Sequence, residues 1–236
     1  MIICFQLLLT HSSHAATQWE ERRPEGPRPG EYDDCMWDIH CCANAAAGGH
    51  LEVLKWLREH GCPWNVWTCV HAAAGGHLEV LKWAMEHGCD EWDEGYFDIH
   101  ELEDCCALAA RGGHLEVLTW LWQNDCPRND AWTCACTAGG GHLEVLQWLR
   151  RHEFEWDART AEEAARGGHL QVLQWALEHH CPWVEGACAA AALGGHLEVL
   201  KWLREHHCPW NVGTRQRAEA HGHLELLQSA VEHGVP

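Results

Sequence analysis

The tripeptide Gly-His-Leu occurs seven times and is the feature that most restricts how this chain of 236 residues folds. Successive histidines are separated by 27, 37, 28, 27, 27 and 27 residues, so the third copy carries an insertion. A fixed spacing of this length predicts a repeat architecture, in which each unit buries its apolar face only by stacking on its neighbours. The seven histidines are His50, His77, His114, His142, His169, His196 and His223.

Each 27-residue unit is predicted to form two helices. In the first copy, helix B starts after His50 and carries apolar residues over more than half of its circumference, until His60-Gly61 ends it. Helix A is short and built of small residues, as in 68–74, and a Gly-Gly pair turns the chain into helix B. Thr160 and Glu163 predict a capping box at the start of one helix A.

The second half of each unit resembles the ankyrin-repeat family. Ala72-Ala73-Ala74-Gly75-Gly76-His77-Leu78-Glu79-Val80-Leu81-Lys82-Trp83 is similar to the family pattern A-A, two residues, G-H-L-E-V-V-x-L. The resemblance implies an all-α, right-handed solenoid of stacked antiparallel helix pairs that binds proteins through its concave helix face and loops. The unit is about six residues shorter than the family's 33. We therefore expect the β-hairpin fingers to be shortened or absent.

The chain is expected to have two parts. Residues 1–34 are predicted to be a poorly ordered extension that ends in a Pro- and Gly-rich linker. Residues 35–236 form the seven repeats, with an acidic insertion at about 90–104 that partly imitates a calcium loop but is better explained as a solvated acidic loop. The apolar start of the chain lacks the positive charge of a signal peptide, so we expect a cytoplasmic protein rather than a secreted one.

Charge and composition limit the classes of function that the chain can have. The chain has 16 Lys+Arg and 35 Asp+Glu, a net charge of −19, which disfavours a nucleic-acid partner and favours a protein partner with a basic surface. No apolar run is long enough for a membrane span. The Asp, Glu and His residues recur with the repeat, whereas a catalytic group is expected once. We therefore predict a monomeric, non-enzymatic interaction scaffold.

Ten of the 15 cysteines lie at two fixed positions of the repeat, and they are predicted to be small buried core residues. An alternative function is zinc binding, because pairs such as His60 and Cys62 join an imidazole to a thiol. One repeat supplies only two of the four ligands that zinc needs, so no metal or cofactor is expected. The histidines of Gly-His-Leu are predicted to cap helix B and to pack between repeats.

A partner surface is expected where the copies differ on helix A. These positions are Asn44, His71, Leu108, Cys136, Glu163, Ala190 and Arg217. The loop tryptophans are either exposed anchors for a partner or covers for the helix ends, and they are Trp64, Trp156, Trp183 and Trp210. A repeat array without a dedicated partner remains the other alternative.

Overall fold

The computed structural model describes residues 38–89, 105–126, 128–182 and 186–208, and the chain divides into two compact units between residues 101 and 102. The described residues are all-helical and contain no strand, as predicted. The N-terminal extension, the acidic insertion and the seventh Gly-His-Leu lie outside them. The first unit contains α1 (Ile39–Ala47), α2 (Leu51–Glu59), α3 (Val66–Ala74) and α4 (Leu78–Glu86).

The described residues of the second unit contain four more hairpins of the same design. In each hairpin a helix A contacts its helix B, and successive helices A of this unit also contact one another. The helices are α5 (Cys105–Arg111), α6 (Leu115–Gln123), α7 (Asp130–Gly140), α8 (Leu143–Arg151), α9 (Ala158–Gly167), α10 (Leu170–Glu178), α11 (Gly186–Gly194) and α12 (Leu197–Glu205).

An Asp or Asn side chain caps the start of helix A. Asp38, Asn65 and Asp157 each accept a hydrogen bond from the backbone N–H two residues later, and Asn129 accepts one from Trp132. The predicted capping box at Thr160 is wrong, because Asp157 is the cap of α9 and Thr160 lies buried inside the helix. An extended cap residue with an acceptor side chain satisfies an otherwise unpaired helical N–H.

Small residues let the helices A approach closely. The alanine pairs of α1, α3, α5, α9 and α11 are at most 2% exposed, as the sequence predicts. On helix B, the core is made by Leu54 and Leu57 in α2 and by the equivalent residues of the other copies. Val53 is only half-buried, whereas the equivalent valines of the later hairpins are at most 3% exposed.

Helix B ends in a left-handed turn. In the first copy, the N–H of Gly61 donates to the carbonyl of Arg58, and the N–H of Cys62 donates to the carbonyl of Leu57. This Schellman pattern places Cys62 directly over the last turn, where a small apolar side chain is buried. The left-handed position is Gly61 or Gly88 in the first unit but a larger residue in the second, namely Asp125, Glu153, His180 and His207.

The Gly-Gly turn forms a slot for two imidazole rings. Gly49 and Gly168 have positive φ angles, and a Cβ at either position would lie within 2.7 Å of the ring of the next repeat's histidine. A Cβ on the first glycine of a pair, such as Gly75, would strike the ring of its own repeat's His77. The glycines are therefore required both by the backbone conformation and by the packing of histidine between repeats.

The repeated cysteines are core residues, as predicted. Cys134 on α7 is fully buried and Cys181 after α10 is 3% exposed, and burial raises the pKa of each thiol to about 12. The low-polarity interior disfavours the thiolate, so these groups remain protonated across the physiological range.

We expect Glu153→Gly to increase the free energy of unfolding by about 1 kcal/mol. Glu153 has a φ of 63°, a conformation that costs any residue with a Cβ and costs glycine nothing. The reverse control is Gly61→Ala, which should lower the free energy of unfolding by a similar amount. The new Cβ would meet no atom within 4 Å, so the loss would come from the backbone conformation alone. Urea unfolding of the full chain measures both changes. A destabilised Glu153→Gly variant would contradict the explanation that the left-handed conformation of Glu153 is costly.

Cys134 should make the fold less stable at alkaline pH. The unfolded thiol ionises near its ordinary pKa of 9.0, while the folded thiol keeps its proton until about pH 12. The contribution of the protonated Cys134 thiol to the free energy of unfolding is therefore complete below pH 9. Above pH 9 it decreases by roughly 1.4 kcal/mol per pH unit. Cys134→Ala copies the residue that α9 carries at the same position, Ala161, and should show a shallower loss between pH 8 and pH 10. Parallel curves for the two proteins would refute this explanation.

Candidate interaction surface

The helix A positions that differ between copies occupy the same place in each repeat, but their exposure differs. Asn44 on α1 is exposed, and His71, Leu108 and Glu163 are half-buried. Cys136 and Ala190 are only 5% and 3% exposed, so their side chains offer almost no contact area to a partner. Arg217 lies outside the described residues. The helix A surface therefore has two accessible positions in the first unit, Asn44 and His71, and two in the second unit, Leu108 and Glu163.

Two of these side chains are held in place by their own helix. The Nδ1–H of His71 donates to the carbonyl of Trp67 at 2.8 Å, which leaves its Nε2 edge for other contacts. Glu163 forms an ion pair with Arg166 at 3.2 Å and packs beside Gly139 of α7. Fixed polar groups lose little conformational entropy when a partner binds, so they suit recognition.

The loop tryptophans cover the ends of helix B. The guanidinium of Arg58 lies 4.2 Å from the ring centre of Trp64, and that ring meets the edge of Trp83 in the next hairpin at 5.7 Å. Trp156 repeats the arrangement with Arg150 at 4.4 Å and Trp175 at 5.8 Å. Both rings are half-buried, and this packing is the structural alternative that the sequence left open. Trp183 and Trp210 lie outside the described residues.

Helix B also ends in stacked Trp–His pairs. In each pair the His lies four residues after the Trp, stacks on it at 3.9–4.3 Å, and donates Nδ1–H to its carbonyl. In α6 the histidine is replaced by Asn124, whose amide donates to the carbonyl of Trp120 at 2.8 Å. The shared function of these side chains is thus to satisfy a carbonyl at the helix end. The pairs are Trp56–His60, Trp83–His87, Trp148–His152, Trp175–His179 and Trp202–His206.

The histidines of Gly-His-Leu connect repeats rather than cap helices. His77 and His169 occupy the cap position of helix B, yet neither makes a capping side-chain hydrogen bond. Instead, His77 Nε2 lies 3.0 Å from the carbonyl of Ala47, and His169 Nε2 lies 3.0 Å from that of Gly139, thirty residues earlier. A carbonyl only accepts, so the Nε2–H donates. The predicted packing between repeats is confirmed and the predicted capping is wrong.

The arrangement of the thiols and imidazoles does not favour zinc. The thiol of Cys62 is buried and lies 3.6 Å from the carbonyl of Asp38, whereas the half-buried His60 donates its Nδ1–H to the carbonyl of Trp56. Each of the two candidate ligands is therefore directed to a different backbone carbonyl. Within the described residues, no group of three or more His, Cys, Asp or Glu side chains is placed to hold a metal ion.

Carboxylates line the outer side of helix B. Glu52, Glu79 and Glu198 are 77–81% exposed, and each forms an ion pair with a lysine three residues later. In α6 and α8 the same positions are Glu116 and Glu144, where Thr119 and Gln147 replace the lysine. Within the part of the chain that the structure describes, no helix is both long and apolar enough to cross a membrane.

Known proteins are similar to this chain in sequence and in fold. Residues 39–84, which comprise α1 to α3 and most of α4, match the family described as ankyrin repeats in many copies. The ankyrin repeat domain of human ASB11 is a similar solved structure, with a TM-score of 0.50 and 19% sequence identity, over 71% of this chain and 84% of that domain. A comparison with curated proteins finds no match. The chain thus carries ankyrin repeats at residues 39–84, and its fold is that of an ankyrin repeat domain.

Proposed function

We propose that the chain is a non-enzymatic interaction scaffold that binds a protein partner through the helix A surface. The observation that carries this proposal is the contrast between copied and varied positions. The alanines, glycines and histidines that stack the repeats recur from copy to copy, whereas Asn44, His71, Leu108 and Glu163 differ in size and charge at one register. Structural demands alone explain the copied residues, and recognition of a specific partner explains the varied ones.

Charge indicates the kind of partner. The net charge of −19 gives the chain an overall negative electrostatic field. A partner with a basic surface is attracted by that field, and its association slows as added salt screens the charges. A monomeric, cytoplasmic protein is the setting we propose for this function.

The loop tryptophans supply a second, smaller part of the proposed surface. Trp64 and Trp156 are half-buried, so one part of each ring packs on the next hairpin and the other part is accessible. Aromatic rings held by an arginine on one side lose little freedom on binding and are common hot spots of interfaces. We include them as supporting contacts at the helix ends.

Crosslinking with mass spectrometry in lysate of the native cells should identify a partner and the contacting face together. For the partner found, we expect Leu108→Ala and Glu163→Ala to weaken binding at least tenfold each, because both remove side chains from the helix A surface. Glu144→Gln is the matched control on the outer side of helix B and should change the affinity less than threefold.

The outcomes separate the alternatives. Crosslinks that fall on the outer side of helix B, with unchanged affinity for Leu108→Ala and Glu163→Ala, would contradict the proposed face. Failure to enrich any protein across repeated preparations would favour a repeat array without a dedicated partner. Stoichiometric zinc in protein purified without chelators would instead revive the metal-binding alternative.

A further inference from the structure

Glu162 on α9 breaks the repeat pattern at a core position of helix A. Seven residues before the histidine of Gly-His-Leu, the other described helices A carry a small apolar residue that is at most 4% exposed. These residues are Ala43, Val70, Ala107, Ala135 and Ala189. Glu162 stands at the same place and is half-buried. A carboxylate at a core position needs an explanation, because removing a charge from water costs free energy.

A second departure from the pattern makes room for this side chain. Gly186 is the first residue of α11, and a Cβ on it would strike the carboxylate of Glu162. At this place, ten residues before the histidine, other helices A carry large side chains that are exposed or half-buried. These are His40, Trp67, Trp132 and Arg159. The carboxylate of Glu162 therefore replaces, beside α11, a surface side chain that other repeats supply themselves.

The arginines of α9 pair with other carboxylates. Arg159 binds Asp157 at 2.8 Å, and Arg166 binds Glu163 at 3.2 Å. Among the residues that the structure describes, none forms an ion pair with Glu162. A half-buried carboxylate that lacks an ion pair has lost part of its hydration, and a cation supplied by a partner would restore the lost interactions.

The position of Glu162 also suggests a purely structural role. The start of a helix carries a partial positive charge, and Glu162 lies against the first residue of α11. Twelve residues before the histidine, where Asp38 and Asp157 cap their helices, the sequence of this repeat has Val184. A glutamine at position 162 would keep an acceptor oxygen beside α11 and lose only the charge, so the two roles have different consequences.

We propose that Glu162 determines partner specificity on the second-unit part of the helix A surface, where its carboxylate binds a lysine or arginine side chain of the protein partner. The inference rests on the proposed partner-binding function and narrows it to one contact. Such a contact is a charge-assisted hydrogen bond, and partial burial reduces its screening by solvent. Glu198 on helix B, by contrast, is 78% exposed and already paired with Lys201.

The same carboxylate would reject partners that lack the cation. A neutral side chain seated against Glu162 would remove its remaining water without replacing the lost hydrogen bonds, which weakens binding. One residue thus supplies both attraction for a basic partner and discrimination against a neutral one. Alanine or valine at the equivalent position of the other repeats has neither effect.

A phage-displayed library of random twelve-residue peptides, selected on the immobilised full chain, is a probe that does not require the natural partner. An extended peptide of this length spans about 40 Å, enough to cross several helices stacked about 10 Å apart. Peptides that Leu108→Ala weakens at least tenfold are retained, since they bind the helix A surface. We expect each to contain one lysine or arginine whose neutral replacement, norleucine or citrulline, also costs at least tenfold.

A double-mutant cycle then tests whether that basic residue contacts Glu162. Glu162→Gln should weaken the retained peptides at least tenfold, and in this variant the norleucine or citrulline replacement should cost less than threefold, because both changes remove the same interaction. Glu144→Gln is the matched control, which removes one charge from the outer side of helix B and should change the affinity less than threefold. Circular dichroism and urea unfolding verify the fold of each variant.

Failure of this assignment and failure of the proposed function give different results. If no selected peptide depends on Leu108, the helix A surface itself is contradicted, and this assignment with it. If retained peptides bind the Glu162→Gln variant as tightly as the original chain, or if the replacements cost the same in both chains, Glu162 is not the contact and the surface remains. Unchanged binding together with a lower urea midpoint would assign Glu162 to the start of α11 alone.

Discussion

The hydrogen bond from a histidine to the preceding repeat is the interaction on which the described structure depends. His77 reaches the carbonyl of Ala47 in the first unit, and His169 reaches that of Gly139 in the second. Each imidazole lies in the slot left by glycines of its own and the preceding copy. One residue thus satisfies a carbonyl at the end of helix A, fixes the spacing between hairpins and accounts for the Gly-Gly pair that precedes the histidine in six of the seven copies.

The remaining features follow from this stacking. Because the hairpins lie close together, helix A has room only for small side chains, and alanine and cysteine fill it. Because helix B ends in a left-handed turn, the residue that follows is buried over the last turn, and a second cysteine suits that place. Two independent packing demands thereby account for the two cysteine positions of the repeat.

Much of this could be predicted from the sequence, since the copies repeat the same local signals. The apolar spacing of helix B, the Gly-His start and the turn at His60-Gly61 predicted α2 to within about a residue of each end. The burial of the cysteines was predicted from their fixed positions. Local periodicity is informative here because the same kind of unit recurs along the chain.

Most of the misassigned features depend on contacts between copies. The pattern Thr160 to Glu163 resembles a capping box, but the loop brings Asp157 to the cap position first. His77 begins helix B in the sequence, yet its ring turns to a carbonyl thirty residues earlier. Cys136 and Ala190 vary between copies like true surface residues, but their short side chains are covered in the stack. The outcomes for His77, Cys136 and Ala190 depend on neighbouring copies, whereas the Asp157 cap is local to its own unit.

Urea unfolding of His169→Ala, compared with Gln171→Ala, tests the stacking account most directly. His169 donates to the carbonyl of Gly139, while Gln171 is an exposed neighbour on the same helix. We predict that His169→Ala lowers the free energy of unfolding by about 1–3 kcal/mol, because a partly buried carbonyl loses its donor and the glycine slot is emptied. Gln171→Ala should change it by less than about 0.5 kcal/mol. Equal stability of the two variants would contradict the view that this histidine joins the repeats.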